Sequence, residues 1–233
     1  MTTAPVQETT SLTPYWSDGK VSLYLGDCRT ITEWLAADVL VTDPPYGRGW
    51  RQGLLPGHTR TAGGIAGDQD TSVRDAALAL WGGRQCIAFG DLMLAPPVGT
   101  RQVLIYRKPR LSGMTGTTGG WQRNAEAVYL IGPWSTGWGG RDSVISTGSQ
   151  AASGVNGMAR RYGHPHAKPV DVMETLIAAC PPGIIADPFA GSGSTLIAAR
   201  NQGRECIGVE IDERYAEMAA RRLSQGDLFG GAA

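Results

Sequence analysis

Gly183-Ile184-Ile185-Ala186-Asp187-Pro188-Phe189-Ala190-Gly191-Ser192-Gly193-Ser194-Thr195 is the stretch that decides the fold. Its first four residues form a short apolar run bounded by glycine and proline, the pattern of a strand buried on both faces. Two glycines one residue apart then break the chain. From Ser194 to Gln202 the composition is helical, and Gly203 follows as a suitable C-terminal cap. A strand, a glycine turn and a helix in that order bring backbone N–H groups to a ligand at the strand's carboxyl end.

Glu210 lies nineteen positions after Gly191 and ends the next apolar run, Cys206 to Glu210. An acidic residue there can accept both ribose hydroxyls of an adenosine cofactor. The dinucleotide fingerprint wants a further glycine three residues beyond Gly193, where this chain has Leu196. Nicotinamide binding therefore loses ground. Pro188 and Phe189 suit an apolar ledge against a sulfonium cofactor, which carries no pyrophosphate.

Outward from this core the same alternation continues. Asp212 caps a last helix with Tyr215, Met218, Ala219 and Leu223 on one face. Upstream, Lys168-Pro169 opens a helix with proline in its first turn, and Val170, Met173, Leu176 and Ile177 share a face. Strands are expected at Val21–Leu25, Asp38–Thr42, Cys86–Gly90, Gln102–Tyr106 and Ala127–Ile131, and a helix over Arg74–Trp81. Strands alternating with helices of these lengths imply an α/β fold with a doubly wound, mostly parallel sheet. Pro109–Gly120 and Gly132–Gly157 break the pattern. They are rich in Gly with Thr, Ser and Trp, and are expected to be mobile segments that close over a large substrate.

The second motif is Asp43-Pro44-Pro45-Tyr46, directly after an apolar strand. Loops at that edge of an open parallel sheet carry function. An exocyclic amine of a nucleobase is a poor nucleophile because its lone pair is delocalised into the ring. The Asp43 carboxylate and the Pro44 carbonyl can accept its two hydrogens and favour a pyramidal nitrogen whose lone pair faces a methyl donor. Tyr46 offers a flat ring for a base extruded from the duplex, and the two prolines stiffen the loop.

Net charge is zero, so the distribution matters more than the sum. Residues 95–168 hold nine Lys/Arg against two Asp/Glu, whereas residues 1–94 and 169–233 are both acidic. The nine cations are Arg101, Arg107, Lys108, Arg110, Arg123, Arg141, Arg160, Arg161 and Lys168. They are candidates to neutralise phosphates. Cys28, Cys86, Cys180 and Cys206 lack the paired spacing of zinc or redox sites and read as reduced core residues. No Pro-Cys follows a candidate strand, which disfavours a cysteine nucleophile of the cytosine C5 type. His164-Pro165-His166 has no cysteine or carboxylate cluster beside it, so no metal is expected. The polar start, Met1–Thr13, is neither a signal peptide nor a span, and a cytoplasmic protein is expected.

Taken together, these motifs resemble the amino-methyltransferases of DNA in the circularly permuted β class. There the Asp-Pro-Pro-Tyr motif precedes the Phe-x-Gly-x-Gly motif, with target recognition between. Residues 21–223 match that order. Gly26-Asp27 resembles the family's cofactor-adenine turn, His164-Pro165-His166-Ala167-Lys168-Pro169 its motif before the final half, and Asn124-Ala125-Glu126 a less specific motif ahead of the recognition region. The resemblance implies a Rossmann-like, S-adenosylmethionine-dependent methyltransferase with an inserted Gly-rich basic loop region. It implies catalytic Asp43, Pro44, Pro45 and Tyr46, and a cofactor pocket of Asp27, Lys168, Asp187, Phe189, Gly191, Gly193, Thr195 and Glu210. Arg107, Lys108, Arg110, Arg123, Arg160 and Arg161 are then the expected contacts to double-stranded DNA.

The implied organisation is a tail over 1–20, a catalytic half over 21–108, mobile loops and target recognition over 109–163, a cofactor-binding half over 164–224 and a tail over 225–233. The recognition region is shorter and richer in glycine than the family pattern. Aspartate at position 43 is more typical of adenine N6 enzymes, whereas cytosine N4 enzymes usually carry serine. A catalytically inactive DNA-binding module is the alternative from another class. Gln225-Gly226-Asp227-Leu228-Phe229 resembles the pentapeptide by which bacterial replication proteins dock on the sliding clamp, or else packs as a helix tail.

Overall fold

The computed structural model describes residues 12–49, 65–109, 117–148 and 167–226. Nine strands form a single sheet: β1 Trp16–Ser17, β2 Val21–Leu25, β3 Val39–Thr42, β4 Cys86–Gly90, β5 Thr100–Arg107, β6 Ala125–Ile131, β7 Val144–Ser146, β8 Ile185–Asp187 and β9 Cys206–Glu210. Their order across the sheet is β1-β2-β9-β8-β3-β4-β6-β5-β7. The helices are α1 Ser72–Trp81, α2 Val170–Ile177, α3 Ser194–Asn201 and α4 Glu213–Gly226, with one 3₁₀ turn over Glu33–Ala36.

The central strands β2, β9, β8, β3 and β4 are mutually parallel. β3 and β4 read as near-continuous apolar runs because both faces of the sheet are covered there, whereas β2 alternates. In β3, Val39 and Val41 face one core and Leu40 the other, all three fully buried. The first core takes Val172, Met173, Leu176 and Ile177 of α2, Leu196 of α3 and Ala219 and Leu223 of α4. The second takes Trp34 of the 3₁₀ turn with Ala77 and Trp81 of α1. Trp34 and Trp81 stack at 5.9 Å, and the Arg84 guanidinium lies 3.4 Å from the Trp81 ring centre while donating to the carbonyls of Leu35 and Ala37. Helices on both faces of a mostly parallel sheet give the expected doubly wound, Rossmann-like α/β fold.

Several local expectations change. β6 runs antiparallel to both β4 and β5. A parallel neighbour needs a crossover, and no helix intervenes between β4 and β5 or in the described part of the β5–β6 connection. Within the stretch expected to be loop, Val144–Ser146 forms β7 beside β5. Within the expected N-terminal tail, Trp16–Ser17 pairs with β2, and Trp16 and Tyr15 hydrogen-bond Ser224 and Glu217 of α4. Pro169 is the N-cap of α2 rather than part of its first turn, with ψ at 138°. No helix among the described residues is long and apolar enough to cross a membrane. All but Gln225 and Gly226 of the clamp-like pentapeptide, and all of His164-Pro165-His166, lie outside the described residues.

Candidate active site

Sheet topology brings the two motifs together. β3 and β8 are adjacent and parallel, with Val39 opposite Ile185 and Leu40 opposite Ala186. From β3 the chain winds through α1 on one face to β4, and from β8 through α3 on the other face to β9. The β3/β8 boundary is therefore the point where the winding reverses, and a crevice opens there at the carboxyl ends of the strands. The prolyl loop after β3 and the glycyl loop after β8 leave this edge side by side. Thr42 Oγ1 joins their roots by donating to Asp187 Oδ1 at 2.7 Å, with both residues buried.

Three contacts hold the prolyl loop. The amides of Gly47 and Arg48 donate to Asp68 Oδ1 at 2.8 and 3.3 Å. Arg48 makes a two-pronged pair with Asp91, just beyond β4, at 2.6 and 2.5 Å. Gly47 sits at φ +78°, where a Cβ would lie 2.7 Å from the Asp70 carbonyl carbon, so only glycine fits without displacement.

Asp43 lies at the mouth of this loop in a cluster of five polar side chains. Asp43 Oδ1 accepts from the Tyr46 hydroxyl at 2.9 Å, and Oδ2 accepts from Lys168 Nζ at 2.5 Å. Lys168 Nζ also lies 3.3 Å from Glu126 Oε2 and donates to the Tyr46 oxygen at 3.1 Å. The Tyr46 hydroxyl lies 3.1 Å from Glu126 Oε2, so its single proton is shared between Asp43 and Glu126. Lys108 Nζ completes the group 2.5 Å from Glu126 Oε1. Two ammonium groups thus oppose two carboxylates. Side-chain exposure is 8% for Lys168 and 10% for Glu126 but 22% for Asp43, the carboxylate nearest the crevice.

Burial sets the electrostatics of this cluster. It pushes the Asp43 carboxyl up, and the like charge of Glu126 adds to it, against Lys168 and the Tyr46 hydroxyl. Burial acts the same way on Glu126, but Lys168 and Lys108 together outweigh it and hold that carboxyl at about 2. Burial would discharge Lys168, yet Asp43 and Glu126 keep its ammonium above the ordinary lysine range. Tyr46 stays a phenol, pushed well up by burial and by both carboxylates.

Lys168, expected in the cofactor pocket, pairs here with Asp43 of the prolyl loop and with Glu126. Its ammonium also lies over the Phe89 and Tyr46 rings, 4.8 and 5.4 Å from their centres. Its side chain is 8% exposed. Glu126 is the site residue that sequence reading undervalued. A carboxylate inside the otherwise apolar strand β6 must have buried partners, and that was the available signal.

The glycyl loop is built differently. Glu210 Oε2 accepts from Gly191 N at 2.7 Å and Oε1 from Asp212 N at 2.8 Å. Gly191 and Gly193 have φ of +52° and +81°, and a Cβ on Gly193 would lie 3.0 Å from that of Ala219. The Gly26 amide donates to the Glu210 carbonyl at 2.8 Å, which sets the Gly26-Asp27 turn beside the same edge. Asp27 itself pairs with Arg29 at 2.6 Å. Phe189 is half-buried at the start of the glycine turn. Asp187 is buried beneath it, accepting from the Phe189 amide and the Thr195 hydroxyl, with its carboxyl pushed up by burial to about 6. Thr195, 3% exposed, therefore supports Asp187 from inside.

This donor set fits a sulfonium cofactor. The Gly191 N–H that would cradle a pyrophosphate is already given to Glu210, whose carboxylate would repel phosphate. Each Glu210 oxygen retains a lone pair for a ribose hydroxyl.

At the β5–β7 edge lies a cavity of about 370 Å³ lined by Arg107, Lys108, Gln122, Asn124 and the hydroxyl residues Ser146 and Thr147. Arg107 and Arg123 are exposed, whereas Lys108 is turned onto Glu126. Arg110, Arg160 and Arg161 lie outside the described residues.

Comparison with known proteins agrees with this arrangement. The family model described as DNA methylase, covering the N6 and N4 enzymes, matches residues 98–221. The chain is 42% identical over 81 residues to the type II methyltransferase M.ScaI of Streptomyces caespitosus, an alignment covering 34% of this chain and 25% of that protein. It is 44% identical over 62 residues to the DNA adenine methyltransferase YhdJ of Escherichia coli K12, covering 26% of this chain and 21% of that one. These alignments span about a quarter of the relatives' length. Among solved structures, the M1.HpyAVI–SAM complex superposes with a TM-score of 0.56 at 17% identity, covering 87% of this chain and 99% of that one. The cytosine-N4-specific PvuII DNA methyltransferase gives 0.60 at 15% identity, covering 90% and 88%. With more than half its length matched by the family model and both motifs on one crevice, the chain belongs to the N6/N4 DNA methylase family.

Proposed function

We propose that this protein transfers a methyl group from S-adenosylmethionine to the N6 amine of adenine in double-stranded DNA, on a base extruded from the helix. The observation that carries the reading is the parallel pairing of β3 with β8, so that the loop with Asp43 and Tyr46 and the glycine turn leave the same edge of the sheet, tied at their roots by Thr42 and Asp187. S-adenosylmethionine, when bound, supplies the electrophilic methyl group. Asp27, Asp187, Phe189, Gly191, Gly193, Thr195 and Glu210 form its pocket, with Glu210 on the ribose and Phe189 as the apolar ledge.

The chain's own groups do the rest. Tyr46 stacks under the base and replaces lost stacking. The Asp43 carboxylate and the Pro44 carbonyl accept the two amine hydrogens, pyramidalise the nitrogen and direct its lone pair at the methyl carbon. Pro45 keeps the loop stiff. As the carbon–nitrogen bond forms, the nitrogen carries one proton too many, and Asp43 is the nearest acceptor for it. No covalent enzyme adduct is required. Arg107 and Arg123, together with Arg110, Arg160 and Arg161, grip phosphates, and Lys108 approaches DNA from its seat on Glu126.

Aspartate at position 43 favours adenine. Cytosine N4 is the second reading, supported by the likeness to the PvuII enzyme. Labelled-methyl transfer to DNA, followed by nucleoside analysis, separates the two. DNA binding without transfer under any condition would instead favour an inactive module.

A further inference from the structure

We propose that Glu126 is a positioning residue for methyl transfer: with Lys108 behind it, it draws on Lys168 and the Tyr46 hydroxyl so that Asp43 keeps its acceptor strength for the amine. This rests on the reading of Asp43 given above. Lys168 lies between two carboxylates, 2.5 Å from Asp43 and 3.3 Å from Glu126. Without Glu126, the whole charge of a buried ammonium would fall on Asp43. The carboxylate would then be neutralised in place, and its lone pairs would be poorer acceptors for an amine. Glu126 competes for both donors that hold Asp43, the ammonium and the phenol proton.

Lys108, 27% exposed, sits on the far oxygen of Glu126 and lines the cavity at the β5–β7 edge. It compensates the second carboxylate, so the cluster is neutral as a whole. Glu126 comes from β6, Lys108 from just past β5, Lys168 from just before α2 and Asp43 from just past β3. The contact therefore links the antiparallel β5–β6 pair to the prolyl loop. The other ionisable groups facing Asp43 are Tyr46, Tyr106 across the core and Asp187 on β8.

Two substitutions test this with opposite signs. Glu126→Gln keeps the shape but removes a like charge from beside Asp43, so the acid limb of the kcat profile moves to lower pH by about one unit. With Lys168 then drawn onto Asp43, kcat at neutral pH falls roughly 10- to 100-fold, while S-adenosylmethionine affinity stays within about threefold. Lys108→Gln removes a positive charge from behind Glu126 and leaves Lys168 more strongly drawn to Glu126, so the acid limb moves to higher pH. The assay is kcat at saturating DNA from pH 5 to 9, with cofactor binding by calorimetry. Limbs that separate in opposite directions support the role. Limbs that stay put, or shift together, overturn it while leaving the function of Asp43 standing. If Glu126→Gln does not fold, Lys108→Gln alone decides by whether its limb rises. A wild-type protein without any transfer removes the role together with the function beneath it.

Discussion

Replacing Lys168 by Met keeps an unbranched side chain and deletes the ammonium that lies over the Phe89 and Tyr46 rings. Asp43 and Glu126 then face each other with only the Tyr46 proton between them. At an effective dielectric of about 20, the lost attractions at 2.5 and 3.3 Å come to roughly 7 and 5 kcal/mol. Most of this is offset by no longer burying an ammonium, and breaking one partner of a buried pair leaves a net loss of about 3–5 kcal/mol.

That loss should depend on pH, and its sign follows from the carboxyl left behind. Asp43 in the variant has its folded pKa raised still further above its unfolded value. Its stability contribution is then full below the unfolded pKa and falls as pH rises through the folded one. The deficit relative to wild type is therefore greatest near pH 8 and shrinks on acidification toward pH 5, measurable by urea unfolding at each pH. Calorimetry should find S-adenosylmethionine affinity within about threefold of wild type, because Lys168 contacts the prolyl loop, and transfer to DNA should be lost. A deficit that is the same at every pH, or a tenfold weaker cofactor with an unchanged transfer rate, would refute the placement of Lys168 with Asp43.

Asp43→Ala should abolish transfer while leaving cofactor affinity within about tenfold, read by labelled-methyl incorporation and calorimetry. Gly193→Ala forces a side chain into φ +81° and to 3.0 Å from the Ala219 Cβ. A destabilisation of about 2–3 kcal/mol is expected, or roughly 5–10 °C in Tm by scanning calorimetry, together with weaker cofactor binding. Asp187, raised to about 6 by burial, favours the folded state in its neutral form. Its contribution of about 3 kcal/mol is lost as pH rises from about 4 through 6, and Asp187→Asn should flatten that part of the wild-type stability profile in urea.

Much of the fold was legible because the motif-bearing strands are short, apolar and closed by unambiguous breakers. Val21–Leu25 and Cys206–Glu210 coincide with β2 and β9. Strand direction was not legible: periodicity in Gln102–Tyr106 and Ala127–Ile131 marks strands but says nothing of their antiparallel pairing. β1 and β7, two and three residues long, are too short to leave a pattern. The two motifs announced the crevice through residue types that have few alternatives after a strand.

The supporting groups did not announce themselves. Glu126, Asp68 and Asp91 act through contacts 20 to 80 residues away in sequence, and only tertiary packing pairs them with Tyr46, Gly47 and Arg48. The partner of Lys168 was hidden for the same reason. A lysine next to a proline and a helix start could turn to either side of the crevice, and the carboxylates on β6 and after β3 decide which in this structure.

The most direct measurement is the identity of the methylated nucleoside. Double-stranded DNA incubated with the protein and isotope-labelled S-adenosylmethionine, then digested and resolved by mass spectrometry, should yield labelled N6-methyldeoxyadenosine with wild type and none with Asp43→Ala. Label in N4-methyldeoxycytidine would overturn the choice of base, and label in 5-methyldeoxycytidine, or equal labelling by the two proteins, would contradict chemistry at an amine held by Asp43.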